Sequence, residues 1–287
     1  MRPGAPILRF APSPNGRVHL GHAYSALLNA ELAQRMGGLC RLRIEDIDPI
    51  RSKPELVEAI VTDLAWLGLT YPEPVRHQSR HLDSYRATLQ CLINRGLAYP
   101  CFCSRGQIRA RAAASSENTH DPDGAPLYPG TCRGLDPASR SEGLARGEPH
   151  TWRLDMEAAL RCAVEPLVYD AFDGADMRRV AADPARWGDA VIARRDVPTS
   201  YHLSVVRDDA EQGITHIVRG RDLEAATDLH VLLQRLLGLP TPRYHHHALI
   251  LDPDGDKLAK SRGSQSLADL RQAGVTPEEI RARLGFA

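Results

Sequence analysis

Arg9-Phe10-Ala11-Pro12-Ser13-Pro14-Asn15-Gly16-Arg17-Val18-His19-Leu20-Gly21-His22 is the stretch on which the fold turns. An apolar start, Ile7-Leu8, runs into Arg9 and Phe10 as a short strand. Pro12, Pro14, Asn15 and Gly16 cannot extend a strand and form a tight loop. From there apolar residues return at helical spacing, at Ala23, Ala26, Leu27, Ala30 and Ala33, and Gly37-Gly38 supplies a stop. His19 and His22 thus flank a glycine at a helix N-terminus, where unpaired N–H groups and the helix dipole favour a phosphate. Gly21 has no side chain, so a phosphate or a flat ring can approach the backbone there. Two imidazoles three residues apart can both donate to one polyphosphate as charge builds on it. Taken alone, H-x-G-H is equally compatible with two surface histidines beside a turn.

The rest of the chain sets bounds on what that loop can serve. A length of 287 residues suits one elaborated domain or two smaller ones. Hydrophobic residues at 43% and charged residues at 25% are ordinary for a globular protein. Lys+Arg and Asp+Glu both number 36, so any nucleic-acid contact must come from a local basic face and not from net charge. Aromatic residues at 5% argue against a base-stacking platform. No charged-then-apolar leader opens the sequence, and no apolar run approaches about 18 residues, which predicts neither signal peptide nor membrane span. In that setting Cys40, Cys91, Cys101, Cys103, Cys132 and Cys162 point to reduced thiols or a metal site and not to a disulfide framework. A cytoplasmic protein is expected, with a monomer as the default state.

Residues 39–45 alternate, Cys40, Leu42 and Ile44 against Arg41, Arg43 and Glu45, and read as a strand. It runs into the acidic turn Glu45-Asp46-Ile47-Asp48-Pro49, at the strand end where open α/β sheets bind ligands. A helix is predicted over 52–68, opened by a Ser52/Glu55 capping box and burying Leu56, Val57, Ile60, Val61, Leu64 and Leu67. A second spans about 82–95, with Leu82, Tyr85, Leu89, Leu92 and Ile93 inward as plain core. Residues 101–150 then break the α/β texture and read as an insertion. Within it Cys101, Cys103 and Cys132 offer three ligands for a tetrahedral zinc site, and by chemistry alone His120 is the fourth. Cys40, Cys91 and Cys162 sit in apolar patterns and read as buried small hydrophobes. Residues 151–154 and 162–169 read as short strands. A second α/β half is predicted from Gly188, with strands over 189–194, 201–206 and 214–220, then a helix over 223–237. Asp254-Gly255-Asp256-Lys257-Leu258-Ala259-Lys260-Ser261 is a glycine-containing turn followed by two lysines and a serine, a cationic loop able to close on a triphosphate.

The opening string, as Arg-Phe-Ala-Pro-Ser-Pro-x-Gly-x-x-His-x-Gly-His, resembles the first signature of the class I aminoacyl-tRNA synthetases in their glutamyl and glutaminyl form. Leu-Arg-Ile-Glu-Asp-x-Asp-x-x-Arg-Ser at 42–52 is similar to the glutamyl members. Lys257-Leu258-Ala259-Lys260-Ser261 resembles the second signature, Lys-Met-Ser-Lys-Ser, keeping both lysines while Ala259 removes a hydroxyl. The resemblance covers nearly the whole chain. It implies an α/β fold: a Rossmann-type parallel-sheet class I catalytic domain with an inserted zinc-bearing subdomain and no anticodon-binding domain. The expected division is 1–100 for the first Rossmann half, 101–186 for a zinc-containing, RNA-contacting insertion, 187–245 for the second half, and 246–287 for the lysine loop and a short helical end.

The resemblance also implies roles. His19, His22, Lys257 and Lys260 would be catalytic. Pro12, His19, Gly21, His22, Lys257, Lys260 and Ser261 would hold ATP, accompanied by Mg²⁺. Arg9, Phe10, Ala11, Pro12, Ser13, Glu45, Tyr201 and Arg219 would hold L-glutamate, with Arg9 and Arg219 on its γ-carboxylate and Glu45 on its α-ammonium. One structural Zn²⁺ would be held by Cys101, Cys103, Tyr128 and Cys132, the tyrosine oxygen taking the place His120 has on chemistry alone.

Two departures narrow the branch. Where full-length members have Asn four residues after the substrate tyrosine, this sequence has Val205. It also stops soon after Ser261, which leaves no room for a helical anticodon-reading region. Both resemble a shortened branch that activates glutamate and esterifies the queuosine base in the anticodon loop of tRNA(Asp). The alternatives are a catalytic module that acylates tRNA(Glu), and a synthetase-like regulator without chemistry.

Overall fold

The computed structural model describes residues 4–114, 120–251 and 265–286. Strand β1 (Ile7–Phe10) leads through the proline loop into helix α1 (Leu20–Arg35), and β2 (Leu39–Ile44) returns parallel to β1, with Ile7 opposite Leu39 and Phe10 opposite Leu42. The return is tight enough to demand glycine: a Cβ on Gly38 would lie 2.1 Å from the carbonyl oxygen of Pro6. Helix α2 (Pro54–Trp66) then crosses to the short β3 (Arg76–His77), parallel to β2. The Ser52/Glu55 capping box does not form. Lys53 is the N-cap without a side-chain bond, and Pro54 occupies the first helical turn, where its missing N–H has no helical partner to lose. Ile60, Leu64 and Leu67 are buried as expected, whereas Val61 is 46% exposed.

After α3 (Leu82–Asn94) come β4 (Ala98–Cys101), α4 (Arg105–Ala113), α5 (Pro137–Ala145), β5 (Thr151–Leu154), α6 (Met156–Cys162), β6 (Val168–Asp173), β7 (Asp176–Ala181) and β8 (Val191–Ala193). Strands β4, β5 and β8 form a separate antiparallel sheet. The stretch expected as a strand over 162–169 is divided: Cys162 ends a helix, and the strand starts at Val168. Cys91 and Cys162 are exposed and are not the buried hydrophobes that their apolar neighbours suggested, whereas Cys40 is half-buried and packs against the apolar core.

The largest departure is α7 (Tyr201–Glu211), where a strand was expected over 201–206. Ser200 caps it by accepting the Leu203 N–H. Leu203, Ser204, Val205 and Val206 are buried in succession, and Asp208 and Asp209 are buried beyond them. A buried run this short shows no 3.6-residue signature, the solvent-facing Arg207 and Glu211 coming only later, and the β-branched valines bias the reading to a strand. Strand β9 (His216–Gly220), helix α8 (Ala226–Leu237) and strand β10 (Arg243–His247) complete a second parallel crossover, with His216 opposite Arg243. The order in this sheet is β7-β6-β10-β9. Helices α9 (Leu267–Gln272) and α10 (Pro277–Arg283) pack Leu267, Ile280 and Phe286 against the α1–α2 core.

The two parallel units meet where β1 lies beside β9. The Thr215 N–H donates to the Ile7 carbonyl at 2.9 Å, and the buried Asn29 amide of α1 donates to the Val218 carbonyl at 3.1 Å. From β1 the chain crosses to β2 on one side, and from β9 it crosses to β10 on the other. This reversal opens a crevice at the strand C-termini, the place where open α/β sheets bind ligands.

Candidate active site

That crevice is a cavity of about 890 Å³, lined by Arg9, Phe10, Ala11, Pro12 and Ser13 from β1 and its loop, by His19, Gly21 and His22 at the start of α1, and by Glu45, Tyr201 and Arg219. The residues expected to hold glutamate and those expected to hold ATP, within the described chain, thus face one space. Lys257, Lys260 and Ser261 lie outside the described residues. The chain resumes at residue 265 against the α1 entrance: Ser266 pairs with His19 as a β-bridge, and the Leu267 N–H donates to the Val18 carbonyl at 2.8 Å.

Arg219 is 4% exposed, and among the described residues it has no carboxylate partner. Its donors go to neutral acceptors instead. Nε reaches His246 Nε2 at 3.4 Å, one terminal nitrogen reaches Tyr201 Oη and His230 Nδ1 at 3.3 Å each, and the other reaches Thr227 Oγ1 at 2.7 Å. A guanidinium has five N–H donors, so one is left uncommitted. Tyr201 accepts from Arg219 and therefore keeps its own hydroxyl hydrogen to give. Burial and Arg219 hold the histidines neutral, His246 being pushed down to about 3 and His202 to about 4, with His230 also well below its usual value. A buried cation surrounded by neutral groups is unfavourable unless an anion joins it. One guanidinium N–H and one phenol O–H are thus left as donors that an anionic group can answer.

Arg9 is compensated in a different way. Its Nε lies 3.2 Å from Asp209 Oδ1, and Arg43 donates to the same oxygen at 2.8 Å. Arg43 also reaches Glu45 at 3.4 Å. Burial would raise Asp209, but the two guanidiniums outweigh it and hold its carboxyl below the ordinary range. Burial wins at Glu45, which is raised despite Arg43 and Arg9. Asp208, next in line, accepts from Arg76, Gln78 and Tyr85. Tyr85, read from the sequence as plain core, is therefore part of a buried polar network, and so is Arg43. Neither had a local signal, because Asp209 and Asp208, which they meet, lie more than a hundred residues away in the chain.

At the α1 N-terminus His19 and His22 cap each other's turn. His19 Nδ1 accepts the Gly21 N–H at 3.1 Å, and His22 Nδ1 accepts the His19 N–H at 3.4 Å. A neutral imidazole that accepts at Nδ1 carries its proton at Nε2. Both rings are thereby set as Nε2–H donors at the cavity wall. The space at Gly21 is taken by the His19 ring, with Cε1 3.1 Å from where a Cβ would be, so what the glycine admits is an imidazole.

The sulfur atoms of Cys101, Cys103 and Cys132 lie within 4.8 Å of one another. Tyr128 Oη is 3.6 Å from Cys103 Sγ and accepts the Cys132 N–H at 2.8 Å. His120 pairs through its backbone with Pro126 and is not in the cluster. Three soft donors and an adjacent phenol oxygen fit a tetrahedral zinc ion. Arg195 donates to the Cys103 carbonyl at 2.7 Å, and Arg194 to Asp48 at 3.0 Å. These two arginines tie the cluster to the acidic turn after β2, a link that the sequence alone did not reveal. Among the described residues no helix is long and apolar enough to cross a membrane.

A parallel-sheet crevice with this histidine turn is the architecture of a class I synthetase catalytic domain. The family described as tRNA synthetases class I (E and Q), catalytic domain, matches residues 7–286, and the chain belongs to that family of ligases. It is 44% identical to the glutamyl-Q tRNA(Asp) synthetase of Rhodobacter capsulatus, across 98% of this chain and 100% of that protein. It is 40% identical to the glutamyl-Q tRNA(Asp) synthetase of Symbiobacterium thermophilum, across 97% of this chain and 85% of that one. The solved glutamate tRNA ligase from Elizabethkingia meningosepticum, crystallised with its amino acid, superposes with a TM-score of 0.72 at 27% identity over 90% of this chain. The chain spans about half of that solved ligase, 52% of its length.

Proposed function

We propose that the protein activates L-glutamate with ATP and transfers the glutamyl group to the queuosine base in the anticodon loop of tRNA(Asp). The observation that carries the reading is Arg219, a buried cation with no carboxylate of its own among the described residues, in the cavity that also holds His19 and His22. The γ-carboxylate of glutamate takes the remaining Arg219 N–H and the Tyr201 hydroxyl, with Arg9 beside them. Glu45 faces the α-ammonium, and the loop from Phe10 to Ser13 closes on the backbone end. Glutamine would leave the arginine charge unanswered, so it is rejected.

An α-carboxylate oxygen attacks the α-phosphorus of ATP in line. The new P–O bond forms as the bond to the departing pyrophosphate breaks. The Nε2–H groups of His19 and His22 donate to the phosphate oxygens as charge grows, and Lys257 and Lys260 meet the leaving diphosphate. Mg²⁺ entering with ATP neutralises phosphate charge. A hydroxyl of the RNA then attacks the activated carbonyl, and AMP leaves. No protein nucleophile is needed. Cys101, Cys103, Tyr128 and Cys132 would hold zinc as a structural pin for the inserted segment.

The likeness in sequence to proteins named for glutamyl-Q tRNA(Asp) favours this acceptor over tRNA(Glu). The test is incubation with labelled glutamate, ATP and bulk tRNA, followed by nuclease digestion. Label on queuosine supports the proposal. Label on the terminal adenosine supports tRNA(Glu) acylation, and no label at all supports a regulator.

A further inference from the structure

Resting on glutamate recognition as proposed above, we infer that His230, backed by His202, is a positioning residue that sets the acid specificity of the site by holding Arg219 through a neutral acceptor.

His230 lies on α8, is 1% exposed and does not line the cavity, so it touches no ligand there. Its two ring nitrogens are both engaged. Nδ1 faces an Arg219 terminal nitrogen at 3.3 Å, and Nε2 faces His202 Nδ1 at 3.2 Å. A guanidinium can only donate, so His230 Nδ1 must accept, and its proton sits on Nε2. That proton is given to His202 Nδ1, which fixes the proton of His202 on Nε2 in turn. The chain Arg219→His230→His202 therefore has one direction and one set of tautomers. His202 is held at its outer end against Trp187, with ring centroids 5.2 Å apart. The two histidines come from different helices, α7 and α8, so the chain also locks the Arg219 terminal nitrogen to the packing of those helices.

The chemistry of the acceptor matters as much as its position. A carboxylate at residue 230 would hold the guanidinium equally well in geometry and would cancel its charge. An imidazole accepts the hydrogen bond and leaves the charge for the substrate. This is the contrast with Arg9, which shares Asp209 with Arg43. The site thus pairs one compensated arginine with one whose charge is reserved.

The experiment is glutamate-dependent ATP–pyrophosphate exchange by His230→Leu, His230→Gln and His230→Glu, with KM measured for both glutamate and ATP. His230→Leu removes the acceptor and is expected to raise the KM for glutamate by about tenfold or more, with the KM for ATP unchanged. His230→Gln, which accepts through Oε1 and donates through Nε2, is expected to return the KM for glutamate to within about threefold of the wild type. His230→Glu has the same shape as Gln and adds a negative charge. It is expected to lose glutamate use beyond the Leu variant. A Leu variant with unchanged KM for glutamate would overturn the inference. So would parallel loss for both substrates that Gln does not recover, or a Glu variant that behaves like Gln. Failure of the wild-type protein to exchange with glutamate at all would instead overturn the function on which the inference rests.

Discussion

Asp209 and Arg43 meet at 2.8 Å with both side chains buried, 166 residues apart in sequence. Asp209 also receives Arg9, so one carboxylate joins β1, β2 and α7 beneath the cavity. Removing one partner of a buried pair strands the other charge, at a cost of about 3–5 kcal/mol. Asp209→Ala should therefore lower the unfolding free energy by about that amount, read from the urea midpoint at unchanged m-value. Because the Asp209 pKa is lowered in the fold, its contribution is present at neutral pH. That contribution is lost as pH falls through the depressed value.

Glu45 gives the opposite sign. Burial raises its pKa above the ordinary glutamate value. If its charge attracts the α-ammonium of the substrate, binding weakens as pH falls, and the loss begins at a higher pH than for an exposed glutamate. The KM for glutamate should climb on acidification, while the KM for ATP stays level over the same interval. Glu45→Gln should show a high KM at neutral pH and a flat profile on the acid side.

Gly21→Ala separates fold from chemistry. Gly21 lies in the first turn of α1 and outside the left-handed region, so alanine meets no backbone strain there and keeps the N–H that His19 accepts. Its Cβ would nevertheless press on the His19 ring, whose Cε1 and Nδ1 lie 3.1 and 3.2 Å away. The expected outcome is a melting temperature equal to the wild type or slightly higher. Turnover in pyrophosphate exchange should fall by about tenfold or more, with the KM for glutamate little changed.

These residues differ in how far the sequence announced them. The β1-loop-α1 unit was legible because proline, glycine and helical spacing act locally, and His19 and His22 carry out a local capping pattern. Glu45 was legible as part of an acidic turn at a ligand-binding strand end, but Tyr201 and Arg219 were reachable only through resemblance, since each lies on a different element and meets the cavity across the sheet. Arg43 and Tyr85 read from the sequence as strand face and core, and Asp209 lies beyond the strand expected over 201–206. Their meaning is a set of contacts made only after the chain has folded. The strand expected over 201–206 is the first half of a helix because Leu203 to Val206 are buried in succession and the solvent-facing Arg207 and Glu211 come only later, so the short run carries no helical periodicity. At Pro54 a local rule misled for a local reason, proline at the first turn displacing the Ser52 cap.

The cysteine cluster supports a prediction independent of activity. Cys101, Cys103, Cys132 and the adjacent Tyr128 should bind about one zinc ion per chain, measured by atomic absorption on purified protein. Cys103→Ser should reduce that content to near zero and lower the melting temperature by several degrees, as should a strong chelator. His120→Ala should leave the zinc content unchanged, since His120 stands outside the cluster.

On the proposed reading, the unneutralised guanidinium of Arg219 recognises an acidic amino-acid side chain. ATP–pyrophosphate exchange with glutamate and with glutamine, by the wild type and by Arg219→Gln, tests it most directly. The predicted result is exchange with glutamate and not glutamine in the wild type, and a fall of about a hundredfold or more in kcat/KM for glutamate in the variant. Equal use of both amino acids by the wild type, or an Arg219→Gln protein that still discriminates in favour of glutamate, would contradict it.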